Sequence, residues 1–78
     1  MKIALCKHAL HRLGLSPKEA RFAQALVDHC KLDSAAAAMF VSRNTAKFHL
    51  RNIFSKTGCR NQAELVKVLL VRAWVREE

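Results

Sequence analysis

At 78 residues the chain has room for one domain with one modest core, and its 51 % apolar content excludes a disordered polymer. Two glycines and one proline are too few for the turns of an all-β fold, and no apolar run is long enough to span a bilayer. A formal charge of +8 fits a polyanionic partner, although charge alone fits equally well a solvated face on an ordinary soluble protein.

The apolar residues are mainly Ala, Leu and Val, which suit short helices packed at close range. Lys7, His8, His11 and Arg12 interrupt the mildly apolar start, which argues against a secretory leader. Cys6, Cys30 and Cys59 are odd in number and have no pairing pattern, so they read as reduced thiols of a cytosolic protein.

Ile3, Cys6, Leu10 and Leu13 recur at helical spacing and predict a first helix over residues 2–13, ended by Gly14. Ser16, Pro17 and Glu19 form a capping box with proline in the first turn. They open a helix to His29 that buries Phe22 and Leu26. A short third helix begins at Leu32 or Asp33 and carries alanines 35–38, whose small side chains allow another helix to approach closely; low-complexity filler is the plainer alternative. Phe40 and Val41 make a tight turn into Ser42, the next cap. The fourth helix then runs to Gly58, which is free to turn left-handed. Asn61 and Glu64 form a second capping pair for a last helix reaching about Val75.

Charge is distributed unevenly along this series. No carboxylate occurs between Asp33 and Glu64, while Arg43, Lys47, Arg51, Lys56 and Arg60 all fall in that interval. A short helix, a tight turn and a basic helix describe a helix-turn-helix. At 100° per residue, Ala46, Leu50, Ile53 and Thr57 share one stripe with Phe54 at its edge. Asn44, Lys47, Phe48, Arg51 and Ser55 fall opposite. An amide, an ammonium, a guanidinium and an aromatic ring on one exposed face match the chemistry of base edges in the major groove.

Residues 15–70 resemble the LuxR-type (GerE-like) DNA-binding domain of bacterial transcription regulators. The resemblance is carried by Leu15, Ser16, Pro17, Lys18 and Glu19, then by residues 41–50, VSRNTAKFHL. It continues through Ile53, Phe54, Ser55, Lys56, Thr57 and Gly58 and through residues 60–66, RNQAELV. It implies an all-α, compact four-helix helix-turn-helix domain over 15–76, with residues 1–14 as an additional short N-terminal helix or linker. The third family helix would lie in the major groove, here about residues 43–57, and the fourth would dimerise. Asn44, Lys47, Phe48 and Arg51 are the base-reading candidates; Lys31, Ser42, Arg43, Thr45 and Lys56 are the phosphate candidates. The implied function is sequence-specific binding of double-stranded DNA and transcription regulation, as a homodimer on inverted repeats. RNA polymerase would be a further partner and the cytoplasmic nucleoid the location. No cofactor, metal, membrane or enzymatic activity is expected. The sequence departs from the family at His29, where glycine is usual, at Asp33, whose charge would repel a phosphate, and at Ala46, where a larger residue is usual.

In the last helix Val66, Leu69, Leu70 and Ala73 are expected to complete the core. Val68, Val71 and Val75 form a second apolar strip, either scattered surface valines or a two-fold dimer contact, with Trp74 between the two faces. Cys6, His8 and His11 do not complete a tetrahedral metal site. Cys59 and His49 lack an orienting acid and an oxyanion motif, and His49 reads instead as a packed, hydrogen-bonded residue. The rival function is a small protein-interaction module that sequesters another regulator.

Overall fold

The computed structural model describes residues 4–75. In chain order the elements are β1 (Ala4–Leu5), α1 (Lys7–Arg12), α2 (Pro17–His29), α3 (Leu32–Ala38), α4 (Arg43–Thr57), α5 (Gln62–Arg72) and β2 (Trp74–Val75). The fold is all-α apart from one two-residue ribbon among the described residues. No described helix is long and apolar enough to cross a membrane.

Local chemistry sets most of the boundaries. Ser16 Oγ accepts the Glu19 N–H at 3.2 Å, and Glu19 Oε1 accepts the Ser16 N–H at 2.8 Å, so the capping box is complete. Ser42 Oγ accepts the Thr45 N–H at 3.1 Å, and Asn61 Oδ1 accepts the Glu64 N–H at 2.9 Å. Helix α1 closes with Gly14 N–H donating to His11 and Leu15 N–H to Leu10. That paired closure requires the positive φ of Gly14 (90°), and it brings buried Leu10 and Leu15 together.

The turn between α3 and α4 has the same closure, built without glycine. Phe40 N–H donates to the Ala37 carbonyl and Val41 N–H to the Ala36 carbonyl. Phe40 takes the left-handed position at φ 57° and its side chain is 96 % exposed. The second such residue is Cys30, at φ 60°. The family glycine position at His29 is thus helical here, and the left-handed step falls one residue later.

Helices α2, α3 and α4 pack on one another, and α5 packs on α2. Phe22, Leu26, Ala35, Ala46, Ile53, Leu65 and Leu69 are fully buried. The alanines of α3 divide as close packing requires, Ala35 and Ala36 inside and Ala37 and Ala38 exposed.

Both chain ends differ from expectation. The helix predicted over 2–13 starts only at Lys7, because Ala4 and Leu5 pair antiparallel with Val75 and Trp74; Ile3 lies outside the described residues. Cys6 N–H donates to the Ala73 carbonyl at 2.6 Å, so α5 ends at Arg72 rather than near Val75. Pairing between distant segments wins over local helical periodicity, as Trp and Val favour extended backbone. Val75 therefore lies off the helical strip, and its side chain is outside the described set. Of the remaining strip, Val68 rests partly on the core while Val71 is 76 % exposed. In the core, Leu65 takes the fully buried place expected of Val66.

Candidate nucleic-acid interface

The sequence of α4 divides it into two faces, and the fold separates them as expected. Ala46 and Ile53 are buried, with Leu50, Phe54 and Thr57 half-buried beside them. Thr57 satisfies its hydroxyl by donating to the Ile53 carbonyl at 2.8 Å. Asn44, Lys47, Phe48, Arg51 and Ser55 are all exposed. None of these five makes an ion pair among the described residues.

Phe48 is 60 % exposed but braced. Its ring centroid is 6.1 Å from that of His49, which is 5.9 Å from that of Phe22 in the core. His49 is therefore packed, as expected, but through tilted ring contacts rather than the hydrogen bond expected of it, and it links an outward ring to the interior.

The N-terminal end of α4 gathers hydroxyl groups and charge. Ser42 Oγ donates to Thr45 Oγ1 at 3.0 Å, leaving both hydroxyls exposed at the helix start, where free N–H groups and the helix dipole favour an anion. Arg43 Nε lies 3.2 Å from Asp33 Oδ1 of α3, with both side chains largely in solvent. Lys31 occupies the N-cap position of α3, exposed and without a side-chain capping bond.

Lys56 stands apart from the other phosphate candidates. Its Nζ donates to Glu19 Oε1 at 2.6 Å, and Glu19 is 5 % exposed. Burial pushes the Glu19 carboxyl up, but the Lys56 hydrogen bond, the Ser16 N–H and the Lys56 charge outweigh it and hold the carboxyl below its ordinary value. Lys56 thus ties the last turn of α4 to the first turn of α2. Sequence reasoning found both residues but not their pairing, which spans 37 positions. Asp33 was legible as a charge unfavourable to phosphate, though not as the partner of Arg43.

Among the described residues no cluster of His, Cys, Asp and Glu could hold a metal ion. The family "Bacterial regulatory proteins, luxR family" matches residues 13–69. No curated protein and no solved structure matches the chain significantly. A basic helix with one buried and one polar face, presented after a tight turn, agrees with that match: the chain belongs to the luxR family of bacterial regulatory proteins, whose domain of this type binds DNA and regulates transcription.

Proposed function

We propose that α4 enters the major groove of double-stranded DNA and reads sequence through Asn44, Lys47, Phe48 and Arg51. The observation that supports this is the exposure of all four on one face that carries no carboxylate, opposite buried Ala46 and Ile53. Arg51 and Lys47 suit guanine, Asn44 suits adenine, and the Phe48 ring suits a thymine methyl. Ser42, Arg43, Thr45 and Lys31 hold phosphates and set the register. Lys56 we assign to the Glu19 pair rather than to a phosphate.

Two copies bind an inverted repeat, with α5 as the two-fold contact. Val71 and Trp74, the latter 50 % exposed, give that surface its apolar character, and half-buried Val68 lies one turn before Val71 in α5. So small a patch contributes too little to overcome association entropy in the free protein, and adjacent half-sites supply the effective concentration. The protein acts at the nucleoid in the cytoplasm, where RNA polymerase is its further partner.

Selection of bound sites from random DNA, followed by two variants, tests the assignment. Arg51→Ala costs about 1–3 kcal/mol on the best site and relaxes preference at one base position. Thr45→Ala weakens binding to all sequences alike. Uniform loss from both variants would show that this face positions the protein without reading bases.

A further inference from the structure

The N-terminal segment contributes nothing to the exposed face of α4, yet it builds a concavity elsewhere. β1 and α1 lie against α2 and the end of α3 and enclose a groove of about 430 Å³. Its floor is apolar, formed by Leu5, Leu10, Leu15, Ala20 and Met39. Its polar groups include Lys7, His11 and Arg21, all exposed, and no carboxylate lines it. Lys7 and Arg21 form no ion pair among the described residues. Leu5, Lys7, Leu10 and His11 all precede the family-matched residues 13–69, so the groove is not given by the family core alone.

A concave apolar floor with a few convergent polar groups is the usual form of a small-molecule site, and the volume lies in the usual range of about 300–1,000 Å³. With no carboxylate in the lining to oppose them, the two cations favour an anion over a neutral or cationic occupant. An amphipathic partner helix or a membrane would need apolar surface continuing beyond the groove. None of the exposed large apolar residues Phe40, Phe48, Val71 and Trp74 lines it, so the occupant has to fit within the concavity. We propose that this groove binds a small amphiphilic carboxylic acid. Its apolar body lies against half-buried Ala20 and Met39 and the edge of Leu5, over the nearly covered Leu10 and Leu15, and its carboxylate faces Lys7 and Arg21. No residue of α4 lines the groove, so DNA and the acid do not compete for the same side chains.

The test is titration of the full, isotope-labelled chain with decanoate below its micellar concentration, followed by amide chemical shifts. Saturable shifts centred on Lys7, Leu10, His11, Ala20 and Arg21 are expected. Decanol and decylammonium, of matching chain length, bind about tenfold more weakly, the difference made by one charge-assisted contact in a half-open site. Arg21→Gln and Lys7→Gln, both at exposed positions that leave the core intact, each remove most of that preference and leave decanol binding unchanged. Absence of saturable shifts would overturn the proposal, as would shifts centred on Val71 and Trp74 or equal binding of the three probes. Binding of an acidic peptide in this groove without decanoate binding would also overturn it, in favour of a protein partner. Each of these results is independent of how α4 reads DNA.

Discussion

Glu19 and Lys56 allow a quantitative test of what fixes α4. Replacing Glu19 with alanine removes the reciprocal bond to the Ser16 N–H, worth about 0.5–1.5 kcal/mol. It also removes the pair with Lys56, which contributes about 1 kcal/mol because that lysine is 41 % exposed and can rehydrate. Together these predict a loss of about 2 kcal/mol, or about 8–16 °C in the unfolding midpoint of a domain this small. Glu19→Gln retains an acceptor for Ser16 and costs about 1 kcal/mol. Lys56→Met leaves a desolvated carboxylate without its cation and costs about 2 kcal/mol. The folded carboxyl titrates below its ordinary value of 4.5, so its stabilisation is present above that pH and is lost as pH falls toward the lower folded value. Urea unfolding from pH 7 to pH 3 therefore shows less acid destabilisation in Glu19→Gln than in the parent. Identical pH profiles, or a Lys56→Met variant as stable as the parent, would refute the coupling. The same variant bears on DNA: with Lys56 held by Glu19, its loss leaves the salt dependence of binding unchanged. A slope shallower by about 0.9 would show that Lys56 exchanges Glu19 for a phosphate in the complex.

Three further outcomes follow from other residues. Asp33→Asn removes a negative charge near the DNA and the partner that Arg43 must leave for a phosphate, tightening binding about fivefold at low salt; weaker binding would mean that Asp33 orients Arg43 productively. Phe40→Gly relieves the left-handed strain of an exposed residue and raises stability by about 1 kcal/mol in thermal unfolding, whereas a loss would reveal a packing role for the ring. Val71→Glu places like charges at the proposed two-fold axis; binding to one half-site survives and cooperative binding to an inverted repeat fails, and retained cooperativity would move the dimer contact elsewhere.

The parts of the fold legible in the sequence are those encoded within a few residues. Ser16, Ser42 and Asn61 each bond an N–H three positions on, so a local reading locates three helix starts. The two faces of α4 follow from its helical period. What escaped depends on partners far along the chain. The helical spacing that begins at Ile3 holds for Leu10 and Leu13, but Ala4 and Leu5 are extended and α1 starts only at Lys7, because their hydrogen-bond partners, residues 73–75, lie at the opposite end. Cys30 and Phe40 occupy left-handed positions without being glycine or asparagine, so the usual compositional signal for helix ends was absent there.

The two ion pairs of α4 differ in a way that bears on recognition. At its C-terminal end Lys56 meets a buried carboxylate that also caps α2, and Gly58 closes the helix at φ 75°. Breaking this contact leaves a desolvated charge, so that end is fixed to the core. At the N-terminal end Arg43 and Asp33 meet in solvent, where such a pair contributes at most about 1 kcal/mol and is screened by salt. A phosphate offers Arg43 an equal or better acceptor. Between the two ends, Ala46 and Ile53 anchor the helix, and His49 carries the rigidity of Phe22 out to Phe48. The residues proposed to read bases therefore stand on a helix held firmly at one end and exchangeably at the other. Adjustment to DNA falls on the Ser42 to Thr45 end, where the phosphate contacts are proposed, and the base-reading positions are left in place.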